Sequence, residues 1–175
     1  MSEKRSFFLM MLNTTPKETA ASYATVGDGV TELTVNYNPQ TSTEQFIHQD
    51  SATTELTGYQ PNAPVTAQVV KTDPAFQFVN GLRKKRAIGS DAHTDVVLID
   101  KYDIDAAGSA EGPFPAERQP VSVQIDSYGG PASDPLSISY TVNWRGDGET
   151  GTFDPKTKTF TAGAAPTALS REVEV

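Results

Sequence analysis

The sequence has 175 residues, 37% of them hydrophobic and 21% charged, with a net charge of −8 and no cysteine. That length is enough for one domain with a real core. The acidic balance excludes a protein that grips nucleic acid by neutralising phosphates. The missing thiol excludes disulfides and thiolate chemistry, and no apolar run reaches membrane-spanning length.

Lys4-Arg5 precedes an apolar run, residues 7–12, that is too short for a secretion signal and has no small-residue cleavage site close behind it. Apolar at every position, the run suits a first strand covered on both faces, in a protein made in the cytoplasm. Residues 13–29 are rich in Thr, Ala and Gly and read as a loop or loose arm; Asn13-Thr14-Thr15 fits the glycosylation pattern, which is common by chance. Residues 32–37 alternate polar and apolar and predict a half-buried strand, broken at Asn38-Pro39. A polar, Thr-rich stretch then runs to Asn62, with Phe46, Ile47, Leu56 and Tyr59 as its few large apolar residues. Connections this long in a domain are functional or disordered.

Residues 65–103 are the unit around which the rest is organised. The β-branched run 65–70 predicts a strand. Asp73 and Pro74 then open a helix, Asp73 accepting from free first-turn amides and Pro74 sitting where its missing N–H is harmless. Ala75, Phe76, Val79 and Leu82 recur at helical spacing and give it an apolar face. Arg83, Lys84, Lys85 and Arg86 fill the last turns, where cations meet the negative end of the helix dipole. Gly89 is a natural stop, and Gly81 weakens the helix by about 1 kcal/mol relative to Ala. Residues 95–100 predict a second, more buried strand.

Residues 105–120 carry Gly108, Gly112, Pro113, Pro115 and Pro120 and read as a long irregular connection. Residues 121–126 alternate again, and 128–135 hold turn residues. The strand 136–144 is the cleanest: Leu136, Ile138, Tyr140, Val142 and Trp144 share one face, and Ser137, Ser139, Thr141 and Asn143 the other. A turn at 145–148, a terminal hairpin over 151–161 and a mobile tail, residues 162–175, complete the chain. The expected fold is mainly β: two packed antiparallel sheets, a sandwich or partial barrel, with one flanking helix and long loops, forming a single domain over residues 1–161.

Candidate chemistry is thin. His93-Thr94-Asp95 reads as an exposed turn before a strand, and His48, with Asp50 nearby, lacks the further partners that a catalytic or metal role needs. Asp100, Asp103 and Asp105 lack the central Gly and terminal Glu of a calcium loop and read as a solvated strand end. Arg145-Gly146-Asp147 matches a cell-binding tripeptide, but Gly-Asp-Gly is what a tight turn wants. Gly146 and Gly148 make no phosphate loop, because no helix follows. No catalytic residue, metal or cofactor is expected. The basic block at the helix end caps and solubilises the helix, or contacts an acidic patch on a neighbouring subunit.

Several phrases occur together in one order: Gly29-Val30-Thr31-Glu32-Leu33-Thr34-Val35-Asn36-Tyr37-Asn38-Pro39-Gln40, then Thr43-Glu44-Gln45-Phe46-Ile47 and Asp50-Ser51-Ala52-Thr53-Thr54. Asp73-Pro74-Ala75-Phe76 follows with Leu82-Arg83-Lys84-Lys85-Arg86, then Val97-Leu98-Ile99-Asp100-Lys101-Tyr102, and finally Leu136-Ser137-Ile138-Ser139-Tyr140-Thr141-Val142-Asn143 with Gly146-Asp147. In sum, over residues 5–161, the chain resembles the major tail tube proteins of long-tailed, non-contractile (siphovirus-type) bacteriophages. The resemblance implies a non-enzymatic virion protein with a β-sandwich and one flanking helix. Six copies would form each ring, and stacked rings would make a tube conducting DNA to the host. Implied partners are the chain itself and other tail proteins such as the tape measure, terminator and distal tail proteins. DNA would pass through the lumen without specific binding, and no membrane is involved.

A conducting wall must not hold a polyanion, so it should be small, polar and poor in Lys and Arg. Ser122, Gln124 and Asp126, with Ser137, Ser139, Thr141 and Asn143, are the candidates for such a wall. The other reading makes the same residues the solvated outside of an ordinary sandwich. Phe46, Ile47, His48, Asp50, Leu56 and Tyr59 are candidates for subunit and ring contacts. The alternative function is an extracellular β-sandwich binding or adhesion module.

Overall fold

In the computed structural model, residues 2–102 and 111–163 are described. Asp103, Asp105 and all but the first two residues of the expected tail lie outside them. The strands are β1 (Phe8–Asn13), β2 (Tyr23–Thr25), β3 (Val30–Leu33), β4 (Pro39–Glu44), β5 (Thr53–Tyr59), β6 (Asn62–Gln68), β7 (His93–Asp100), β8 (Phe114–Gly129), β9 (Ser137–Trp144), β10 (Glu149–Asp154) and β11 (Thr159–Ala162). One α-helix, α1 (Pro74–Lys85), separates β6 from β7. Nine strands form a large antiparallel sheet in the order β2-β1-β7-β8-β9-β6-β3, with β10 also paired to β8 and β11 to β10. β4 and β5 form a second, two-stranded sheet.

β8 holds the large sheet together. On one side it pairs with β7 from Ala116 to Ser122. On the other its first half pairs with β10, from Phe114 to Arg118, and its second half with β9, from Val121 to Gly129. Its buried parity inverts at the change of partner. Phe114 and Ala116 are buried among Met11, Tyr23, Val97, Ile99 and Phe153. Val121 and Val123, on the opposite face, are buried with Met10, Leu12, Val65, Val79, Val96 and Tyr140. Because successive strand residues face opposite sides, one sheet thereby has two dry cores, one on each face. β1 and β7 cross both, so Met10 and Leu12 enter one core and Met11 the other. That is the physical reason their sequences are apolar at nearly every position.

The helix covers the larger core. Asp73 caps it, its carboxylate accepting from the amides of Ala75 and Phe76, each at 3.3 Å. Ala75, Val79 and Leu82 are buried, and Phe76 and Phe78 pack against the same cluster. The helix stops at Lys85 rather than near Gly89. Arg86 takes the left-handed conformation (φ 48°) and its amide donates back to Arg83 and Leu82, so the closing turn falls on a residue that composition does not mark.

Between the two cores lies a buried polar cluster. Asn13 Nδ2 donates to Asp95 Oδ1 at 2.8 Å, and the Tyr23 hydroxyl donates to Asp95 Oδ2 at 2.7 Å. Arg118 Nε sits 3.3 Å from the same Oδ2. Thr94 Oγ1 donates to the carbonyl of Asn13 at 2.7 Å. Burial, and then the bond to Asp95, holds the Tyr23 phenol well above its ordinary pKa, so it remains a donor. The cluster ties β1, β2, β7 and β8 at the point where the dry face of β8 gives way to a wet one.

Several sequence expectations give way here. Residues 13–29 contain β2, whose Tyr23 and Ala24 are buried; the strand is three residues long and too short to show a period. His93-Thr94-Asp95 is not an exposed turn but the start of β7, with Thr94 and Asp95 buried. Of the irregular connection expected over 105–120, residues 114–120 are the start of β8, and residues 105–110 lie outside the described residues. Pro115 lies beyond the last β7 pair, Ile99 with Ala116, and Pro120 lies in the gap between β10 and β9, so neither missing N–H is needed for a ladder. Residues 38–62 are not an irregular loop but mostly the β4–β5 ribbon.

The Asp95 cluster generates a prediction. Asp95→Ala strands two buried donors and should cost about 3–5 kcal/mol, against about 1 kcal/mol for Tyr23→Phe. Urea denaturation measures both, and an Asp95→Ala midpoint equal to wild type would show that the cluster does not hold these strands.

Candidate functional site

Two features of the surface stand out, a continuous polar sheet face and an uncovered ribbon. The polar face is built by period-two alternation on three adjacent strands. Val121 and Val123 of β8, Ile138, Tyr140 and Val142 of β9, and Ala63, Val65 and Ala67 of β6 are buried. Their neighbours point the other way. Register places Asn62, Asn143 and Ser122 in one row and Pro64, Thr141 and Gln124 in the next. Thr66, Ser139 and Ser127 follow beyond a bulge.

That bulge inserts Asp126, since Ile125 faces Tyr140 but Ser127 faces Ser139. Bulges re-aim a side chain, and Asp126 becomes the hub of the face. Gln124 Nε2 donates to Asp126 Oδ1 and Thr141 Oγ1 to Asp126 Oδ2, both at 2.6 Å. Asn143 Nδ2 reaches Gln124 Oε1 at 3.5 Å, Thr66 Oγ1 and Ser139 Oγ are 3.4 Å apart, and Ser137 Oγ donates to the Gly129 carbonyl at 3.0 Å. The structure thus brings Ser122, Gln124, Asp126, Ser137, Ser139, Thr141 and Asn143 together on one face. Sequence reasoning left out Pro64, Thr66 and Gln68 of β6, and Glu32 of β3, which register sets opposite Thr66. Starting the β6 strand at Asn62 rather than Val65 would have exposed its alternation. Among these strand residues the charges are Glu32 and Asp126, with no Lys or Arg. The face is weakly acidic and many of its side chains are bonded to one another, Asn62 Oδ1 being buried without a partner among the described residues; its strands offer no cation to a polyanion.

The ribbon is the second feature. Every residue of β4 is exposed, and every residue of β5 except the half-exposed Gly58. At its tip Phe46 stacks on His48, with ring centroids 6.1 Å apart, and Ile47 is fully exposed. Asp50 is exposed beside them. Leu56 and Tyr59 are more than half exposed, Tyr59 meeting the edge of Tyr37 at the ribbon's base. A lone two-stranded ribbon is marginally stable in water, and such a concentration of bare apolar side chains marks a surface made for a partner.

The helix end is placed on the surface too. Lys84, Lys85 and Arg86 are exposed. Arg83 is half-buried, donating to Asn80 Oδ1 at 2.9 Å and lying 3.9 Å from the ring centroid of Tyr128. Arg145-Gly146-Asp147 is the exposed turn from β9 to β10. Among the described residues, no group of three or more His, Asp or Glu is placed to hold a metal ion.

No protein-family model and no curated protein matches the sequence. Solved structures do share the fold. A chain from the tail of an empty gene transfer agent particle, determined by helical refinement with C6 symmetry, superposes with a TM-score of 0.59 at 14% identity, covering 92% of this chain and 100% of that one. A chain from the virion of a native gene transfer agent particle gives 0.56 at 13% identity, with the same coverage. The likeness at these identities is one of fold: a mainly antiparallel β-structure with one helix.

Because the ribbon contributes nothing to either core, deleting residues 42–58 should leave a folded protein whose melting temperature shifts by less than about 4 °C. Calorimetry checks this, and loss of cooperative melting would show the ribbon to be part of the fold.

Proposed function

We propose that this chain is the tail tube subunit of a phage-like particle, of the long-tailed, non-contractile kind. Copies of the chain form rings of six, the rings stack, and DNA passes through the channel to the host. The role is structural and located in the virion, and other tail proteins meet the two ends of the tube. The single observation that carries this reading is the uncovered β4–β5 ribbon. It is ordered as paired strands yet buries nothing, and a second copy supplies the cover it lacks. The fold shared with a chain of a six-fold particle tail supports the same reading. So do the outer edges of β3 and β2 at the two ends of the large sheet, which pair with no strand among the described residues, since an exposed edge is a template for another strand.

The polar face lines the channel on this reading. Its strand side chains are short, many of them bonded to one another, and none is Lys or Arg, so the strands themselves would give successive rings no phosphate contacts along the DNA; the cations Arg83, Lys84 and Arg86 border Ser122, Gln124 and Asp126 across one groove. A lysine there would release counterions at each ring, and the effect would multiply over the tube.

Ser139→Lys with Thr66→Lys tests this. Both positions are on the wet face, so tubes should still assemble, while phage carrying the variant should eject DNA slowly or not at all. Normal tubes with full infectivity would move the polar face to the outside of the particle.

A further inference from the structure

We infer that the ribbon of one copy docks on the basic end of α1 in a neighbouring copy, acid to base, with Ile47 set against Ile88. This rests on the ribbon being a self-assembly contact and adds the surface that receives it.

The ribbon is sided. Register pairs Glu44 with Thr53 and Ser42 with Glu55. Directly opposed residues share a face, and so do residues two apart on one strand. Glu44 and Glu55 therefore lie diagonally on one face, and Thr43, Thr54, Thr41 and Leu56 on the other. Asp50 adds a third carboxylate near the tip. Residues 39–60 contain no Lys or Arg. The ribbon is thus an acidic strip ending in two bare apolar side chains, Phe46 and Ile47.

The helix end is its complement. Lys84, Lys85 and Arg86 are exposed and contiguous. Just beyond them Ile88 is 82% exposed. It forms a ridge between two grooves, of about 880 and 700 Å³, that share Leu82, Arg86 and Ala87. The acids at the rims are Asp126, Glu18 and Asp91, and Asp91 is already paired with Lys17 at 2.8 Å. The helix dipole adds negative charge at this terminus, yet three cations remain directed outward. Exposed ion pairs contribute little affinity by themselves, but complementary patches set orientation and association rate. The apolar contact of Ile47 with Ile88 supplies what the charges do not. Donor and acceptor patches lie on different parts of one chain, so the contact is heterologous and propagates from copy to copy rather than closing a dimer.

The test uses the full chain, with assembly followed by sedimentation and electron microscopy. Lys84→Glu with Lys85→Glu should raise the concentration needed for assembly about tenfold. Glu44→Lys with Glu55→Lys should do the same. Combining all four should recover most of the loss, and mixing the two double variants should give assemblies that contain both. Arg86 is left intact because it closes the helix. Circular dichroism confirms that each variant folds, and Lys84→Gln with Lys85→Gln keeps the test valid if charge reversal disturbs the helix end. Helix-end variants that assemble like wild type, or a quadruple variant that recovers nothing, overturn this inference. If the ribbon deletion still abolishes assembly in that case, the ribbon contact stands and only its receiving surface is wrong. A wild-type chain that never assembles overturns both.

Discussion

The structure depends on one strand that changes sides. β8 is sixteen residues long, and its buried parity inverts where its outer partner changes from β10 to β9. Period-two geometry leaves no other way for one strand to serve two cores. Ahead of the inversion, Phe114 and Ala116 bury the face that later carries Ser122 and Gln124. Beyond it, Val121 and Val123 bury the opposite face. The Asp95 cluster stands at the junction, where Asp95 bonds Asn13 and the hydroxyl of the core residue Tyr23 and pairs with Arg118. A wet face backed by a dry core follows directly, without any residue chosen for it alone.

Where the large sheet buries apolar residues on both faces, the small one does not. Hydrogen bonds across the β4–β5 ribbon close its backbone, but no apolar face of it is buried. Ordering such a segment is opposed by backbone and side-chain entropy, and a contact made on assembly offsets that cost. The proposed heterologous contact gives this excess a purpose. It also fits the chain's acidity, since an overall charge of −8 keeps free copies apart while a local basic patch provides one place for them to meet.

Much of this was legible in the sequence because burial enforces a period. β9 alternates over its whole length and was readable from Ser137 to Trp144. β1 reads as a strand covered on both faces and β7 as a more buried strand, and Asp73-Pro74 marks the helix start. The fold class, mainly antiparallel β with one flanking helix, followed from those elements. Where burial is absent or changes sense, the signal vanished. The ribbon buries nothing on either face, so no alternation distinguished it from a loop. The first half of β8 carries two prolines and the opposite parity to its second half, so it read as irregular. β2 is too short to show a period. The Asp95 cluster joins residues 82 positions apart in sequence, which no local pattern discloses. On the polar face, Ser122, Gln124, Ser139 and Thr141 were visible through their buried neighbours. Glu32 was not placed there, because a bulge in the β3–β6 pairing sets its register.

The central claim is self-assembly into a channel. Electron microscopy of the purified full-length protein, over a rising concentration series, tests it most directly. Hollow rings or tubes with six-fold end views are the predicted result. A protein that stays a monomer at every concentration, both alone and when seeded with assembled tails, would contradict it.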